Sequence, residues 1–303
     1  VRNLIVLAVV GVFAQLVDGS LGMAYGVTSS SLLLAAGIAP AAASAAVHLS
    51  EVGTTLVSGA SHWTFGNVDW RVVGIMAVPG GVAAFLGANF LVSLDGDTAK
   101  PWVAALLLGL GVYVLWRFLK LSGRRPQFGG RLSALFLVPL AAVAGLMDSI
   151  GGGGWGPVGT TSLLSSGRLE PRKVVGSIDT SEFVVALGAS LGFLFALGSE
   201  SINFGWVAAL MLGGVIAAPI AAWIVRHLAA RVLGVAAGGI IIITNVKTLM
   251  ESSWIGVEQN SSVVWITLAV LAVAWVSLIN AAVVAERAVR RAESRQAAEA
   301  VSA

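Results

Sequence analysis

Five carboxylates stand where an apolar chain has least use for charge. Asp18, Glu51, Asp148, Asp179 and Glu182 fall within or beside long apolar runs, whereas most of the 15 acidic residues lie in loops or the C-terminal tail. Ionisable groups at membrane depth are costly, and they face a bundle interior or a wet path. His48 precedes Glu51 by three residues and Asp179 precedes Glu182 by three, so each pair shares one helix face. Such groups either hold a proton whose affinity changes with access, or cap broken helices and tie segments together. Both roles stand open. Asp18, Asp148, His48, Glu51, Asp179 and Glu182 are therefore the candidate coupling or gating residues.

A second chemistry resides in two glycine-rich breaks. Gly151, Gly152, Gly153 and Gly154 can expose backbone N–H groups and tolerate close approach. Beyond them Gly159, Thr160 and Thr161 stand at the start of a half-helix. Their counterparts in the first half are Thr28, Ser29 and Ser30, preceded by Gly22 and Gly26. Free N–H groups at a helix start attract anions without a buried Arg or Lys, and hydroxyls add donors suited to sulfonate or carboxylate oxygens. These residues are the candidate substrate site, on the expectation that the two turns meet near the membrane midplane. Taken singly, each Gly or Ser also serves close helix packing. No Gly-Lys-Ser/Thr follows GGGGWGPVG, which excludes a nucleotide-phosphate loop.

The elements that must position these residues follow from composition. Of 303 residues, 57% are hydrophobic and 11% charged, against about 25% charged in soluble domains. Continuous apolar runs exclude a barrel and specify a polytopic all-α membrane protein. There is no Cys and there are only three His, with no His/Asp/Glu cluster at metal-ligand spacing, so no metal and no cofactor are expected. Nothing supports a catalytic triad, and an enzyme is not expected. The basic residues behind the net charge of +3 sit at segment ends, which fits topology signals and no nucleic-acid partner. The first apolar segment lacks a cleavage signature and is expected to remain as structure. Most of the ten Trp, including Trp63, Trp70, Trp102, Trp206 and Trp254, are expected as interfacial anchors, with His62 and His227 also interfacial. Lys247 is expected to snorkel.

The chain is duplicated. VDGSLGMAYGVTSSSLLLAAG (17–37) aligns with MDSIGGGGWGPVGTTSLLSSG (147–167) at an offset of 130, pairing Asp18 with Asp148 and Tyr25 with Trp155. After one inserted residue, Pro40 matches Pro171, Ser50 matches Ser181 and Glu51 matches Glu182. Full-length apolar segments are expected at 41–60, 70–94, 102–120, 172–198, 203–225, 230–249 and 262–285.

The 18 Lys and Arg arbitrate the topology. If 4–36 and 132–166 each cross the membrane, 8 basic residues lie inside and 10 outside. If both return to the side they entered, only Arg2, Lys100 and Lys247 lie outside and the other 15 lie inside. Making only the second segment re-entrant scores 16 to 2 but treats homologous segments differently. The arms flanking the second break, 16 residues and about 11 residues long, cover about 24 and 16 Å, short of a core of about 30 Å. The expected fold is thus two inverted repeats, each a broken or re-entrant hairpin plus three transmembrane helices, with an additional C-terminal transmembrane helix. The expected divisions are 1–120 and 132–250 for the repeats, 121–131 for a basic cytoplasmic linker, 251–285 for the extra helix and 286–303 for a basic cytoplasmic tail.

The acidic residue before a glycine-rich break, the downstream Pro and the duplication resemble the TauE/SafE family of sulfite exporters over roughly 5–250. The likeness is strongest in MDSIGGGGWGPVGTTSLL and EPRKVVGSIDTSEFVVALGAS. The first repeat departs from the pattern, with fewer glycines and Ala41-Ala42 in place of a basic pair. The resemblance implies secondary export of a small sulfur-containing anion, such as sulfite, sulfoacetate or another organosulfonate, across the bacterial inner membrane by alternating access. The alternative is a proton-coupled uptake permease, or a carrier for another small solute or cation using the embedded carboxylates. The expected partners are a small anion and the lipid bilayer, with protons and a second copy of the chain as further candidates.

Overall fold

The computed structural model describes residues 2–21, 23, 25–120, 130–166, 168–224 and 230–302. Among them there is no β-strand. The helices are α1 (Arg2–Leu21), α2 (Tyr25–Ala35), α3 (Pro40–Thr64), α4 (Trp70–Ser93), α5 (Gly96–Leu119), α6 (Ala134–Gly151), α7 (Thr161–Ser166), α8 (Pro171–Leu197), α9 (Phe204–Ile224), α10 (Ala230–Met250) and α11 (Ser262–Ser302). A π-helical turn, Trp155–Thr160, leads into α7. Local chemistry sets the ends. Proline opens α3 and α8, where its missing N–H costs nothing. Asp69 caps α4 by accepting from the N–H of Arg71 and Val72, and Asp95 caps α5 through Thr98.

Among the described residues, six helices are long and apolar enough to cross a membrane: α4, α5 and α6, with most of α8 and α9 and the first 28 residues of α11. Two shorter apolar helices, Leu4–Gly19 and Gly234–Met250, lie within α1 and α10. Two elements differ from expectation. The arm before the second break has 18 residues, about 27 Å, and reaches spanning length. Conversely α3, with 25 residues, is long but too polar to rank with the six. It buries Ser44, His48, Glu51, Thr55, Ser58 and His62 within protein. The chain after 285 continues α11 as one helix.

α1 packs along α9 and α6 along α4, while α3 packs on α8 and α5 on α10. Interchanging the halves swaps the first two pairings and returns each of the others to itself. Small residues permit these crossings. Gly11 lies against the Leu210 carbonyl, Gly213 against Ala8, Gly145 against Gly80 and Gly188 against Gly81, leaving no room for a Cβ. The outer face of α11 exposes Val263, Ile266, Val270 and Val273, as a lipid-facing helix must. Trp63, Trp70, Trp102 and Trp254 are exposed as anchors should be, but Trp155 is wholly buried.

Candidate functional site

The second break is organised by Asp148. Gly152, at φ +68°, ends α6 in the left-handed conformation that glycine adopts freely. The N–H groups of Gly152 and Gly153 then return to the Asp148 carbonyl. The Asp148 carboxylate reaches forward. Its Oδ1 accepts from Gly154 N at 2.6 Å and Trp155 N at 2.9 Å, which caps the following turn. Asp18 does the same at the first break, accepting from Tyr25 N at 3.2 Å. Of the N–H groups expected to await an anion, those of Gly152 and Gly153 are thus taken by the Asp148 carbonyl and that of Gly154 by its carboxylate. That is the capping role left open by the sequence.

The two breaks touch. Gly26 lies against Gly152 and Gly153, and a Cβ on Gly153 would collide with Gly26 and Val27. Ser30 Oγ donates to the Gly152 carbonyl at 2.8 Å, and Ser44 Oγ to the Ser149 carbonyl at 2.6 Å. Thr161 Oγ1 donates back to the Pro157 carbonyl. Thr160 is buried, and Gly159 packs against Ile178. Gly151 lies against Leu106. Thr28 Oγ1 and Ser29 Oγ are buried without a hydrogen-bond partner. Gly22 and His227 lie outside the described residues.

The five buried acidic residues and His48 gather into two groups of three. In the first, His48 Nδ1 lies 2.8 Å from Glu51 Oε2 and 3.8 Å from Asp148 Oδ2, while Nε2 stands 3.2 Å from the Asp148 carbonyl. Glu51 Oε1 abuts Gly26, so this group sits at the junction of the breaks. The second group is Asp18, Asp179 and Glu182. Spacing along the chain did not reveal either group, because each takes its third member from a distant break.

Several polar residues were missed. His62, expected at the interface, is buried with Nε2 3.6 Å from Asp179 Oδ2, because α8 covers that face of α3. Gln15 is buried beside Asp18. Asn245 donates to Ser31 Oγ at 2.7 Å. A signal was available for α3: residues 44, 48, 51, 55, 58 and 62 are polar at alternating steps of four and three, one continuous helix face. Lys247 does not simply snorkel, since its Nζ pairs with Glu251 Oε2 at 2.8 Å. Away from the breaks, a cleft of about 390 Å³ is lined by Asp69, Arg71, Arg131 and Arg168.

A family described as Sulfite exporter TauE/SafE matches residues 7–248. A Bacillus subtilis (strain 168) protein named "Probable membrane transporter protein YtnM" is 50% identical over 283 residues, covering 92% of each chain. No solved structure matches. With six helices of spanning length, the chain is a multi-pass transporter of the bacterial inner membrane. It belongs to the TauE/SafE family.

Proposed function

We propose that the chain exports a small sulfur-containing anion, such as sulfite, sulfoacetate or a related organosulfonate, by alternating access between two inverted repeats. The repeats are 1–120 and 132–250, joined by the linker 121–131 and followed by the helix 251–285 and the tail 286–303. The observation that carries this reading is the meeting of the two breaks at a buried centre beside His48. The swapped pairings of α1 with α9 and α6 with α4 support a pseudo-twofold relation. The Arg-lined cleft supports an inner vestibule that collects anions, because focused positive charge raises the local anion concentration.

Since Asp148 caps the second break and both His48 ring nitrogens face acceptors of the chain, the donors left for an anion are the Thr28 and Ser29 hydroxyls. Glu51 and Asp148 repel an anion brought beside them unless a proton comes with it. A dianion leaving with one proton carries one net negative charge outward, which the membrane potential favours by about 2.3 kcal/mol per 100 mV. His48, Glu51 and Asp148 are the proton-coupling residues in this mechanism, and Asp18, Asp179 and Glu182 gate the opposite side.

The test is flux of sulfite, sulfoacetate, sulfate and acetate in proteoliposomes at two internal pH values. Saturable sulfite or sulfonate flux, faster at lower internal pH and reduced at least about tenfold in a Thr28→Ala/Ser29→Ala double variant, is expected; tenfold is about 1.4 kcal/mol. Indifference to the double variant would remove the anion from the breaks. The five buried carboxylates favour a second reading, a proton-coupled carrier for another solute or a cation. Cation flux with every anion inert would establish it.

A further inference from the structure

Beyond the transport reading, we propose that Asp18, Asp179 and Glu182, with Gln15 and Ser58, form a binding site for a divalent cation of calcium size. One ligand atom from each acidic residue falls within 4.8 Å of the others. Oxygens sharing one calcium at 2.3–2.6 Å stand no more than about 5.2 Å apart, and the group lies within that bound. An octahedral magnesium, at 2.0–2.1 Å, draws opposite ligands to about 4.2 Å and demands a tighter cage.

A second observation points to a ligand there. Gln15 is 1% exposed, yet neither amide atom has a hydrogen-bond partner. It precedes Asp18 by three residues and so shares its helix face. A methyl built on Gly19 would stand 3.3 Å from Gln15 Nε2 and 3.8 Å from Ser58 Oγ, so the two polar tips lie close together, and the Ser58 hydroxyl is the one that faces Asp179. Neither Asp179 oxygen has a hydrogen-bond partner other than the Ser58 hydroxyl beside it. Carboxylate, amide and hydroxyl oxygens are hard donors, which select calcium over softer metals. His62, 3.6 Å from Asp179 Oδ2, orients that carboxylate from behind.

Equilibrium dialysis of the purified full chain in detergent, stripped with chelator and then titrated with calcium chloride, tests the site. Magnesium, sodium and choline chloride form the parallel arms. About one calcium per chain is expected, with affinity falling at least about tenfold in Glu182→Gln and several-fold in Gln15→Leu, the usual range for ligand and supporting residues. Both variants remove charge or polarity without adding bulk, and monodisperse elution checks their fold. In chelator, Asp179→Asn melts above the wild type because one repulsion is gone; in calcium the wild type gains and the variant does not. No calcium binding, binding by sodium alone, equal affinity in Glu182→Gln, or loss in His48→Gln would each overturn the assignment. No readout depends on flux, so failure of the transport reading registers separately.

Discussion

At the first buried cluster an imidazole stands between two carboxylates; at the second, a carboxylate occupies that position. His48 and Asp179 are equivalent at the offset of 131 that also pairs Glu51 with Glu182, and Asp148 answers to Asp18. Each cluster takes two residues from α3 or α8 and its third from the opposite half's break. A second exchange lies about four turns further on, where His62 corresponds to Phe193. The Phe193 ring stacks on His48 with centroids 6.1 Å apart, and His62 reaches Asp179. The same backbone frame thus carries one cluster with a central proton acceptor and another with three carboxylates and an imidazole at the edge. Two unit charges about 4 Å apart repel by about 4 kcal/mol at an effective dielectric constant near 20. The second cluster therefore calls for a cation or protons, whereas the first has its own base.

The largest expected effect separates the two capping aspartates. Asp148→Ala strips the acceptor from Gly154 and Trp155 and leaves two buried N–H groups unpaired, each at about 1–3 kcal/mol. Asp18→Ala frees only the bond to Tyr25 N among those described, at about 1–2 kcal/mol. Thermal unfolding in detergent should rank them in that order, and equal losses would erase the asymmetry between the breaks. Reciprocal exchange of the clusters comes next. His48→Asp adds a third negative charge beside Glu51 and should lower anion flux about 100-fold, or about 2.7 kcal/mol. Asp179→His should abolish calcium binding while lowering flux less than about tenfold. If both exchanges act alike on flux and on calcium, the clusters are not specialised.

Helix positions were legible because apolar runs and punctuation agree: Pro40 and Pro171 open α3 and α8 where the sequence suggested. The breaks were legible from their glycines and preceding aspartates. What the sequence concealed was the use of those aspartates. A carboxylate before a glycine run reads equally as a coupling group or a cap, and the distances from Asp148 Oδ1 to Gly154 and Trp155 show the capping contact without deciding the coupling role. Cross-repeat clustering was hidden for a different reason. Spacing reports neighbours on one helix, and Asp148 joins His48 from 100 residues away. His62 was misjudged because its position near a helix end suggested an interface, although the stripe continuing from Ser58 placed it inside.

Glycine substitutions refine the comparison at a smaller scale. Gly153→Ala presses a methyl onto the backbone of Gly26 and Val27, which cannot yield without parting the breaks; about 3 kcal/mol is expected. Gly19→Ala meets the Ala221 methyl at 2.8 Å, which moves only with its backbone, and the more mobile Gln15 Nε2 at 3.3 Å, and should cost about 2 kcal/mol. Similar losses would mean that the first break is as tightly held as the second.

The equivalent aromatics give the smallest effects. Trp155 fills the core and donates from Nε1 to the Ile178 carbonyl at 3.1 Å, so Trp155→Phe loses both volume and a bond, about 2 kcal/mol. Tyr25 donates its hydroxyl to the Leu210 carbonyl at 3.2 Å, with Ser50 Oγ at 3.1 Å. Tyr25→Phe keeps the ring in place, and Ser50 retains its bond to the Val47 carbonyl, so about 1 kcal/mol is expected. The pair also separates stability from transport. Tyr25 ties α2 to α9, two elements of opposite halves, and if that tie holds one access state, its removal should alter flux more than its stability cost implies. A Tyr25→Phe variant with flux reduced only in proportion to its folded fraction would make the contact a plain fastening.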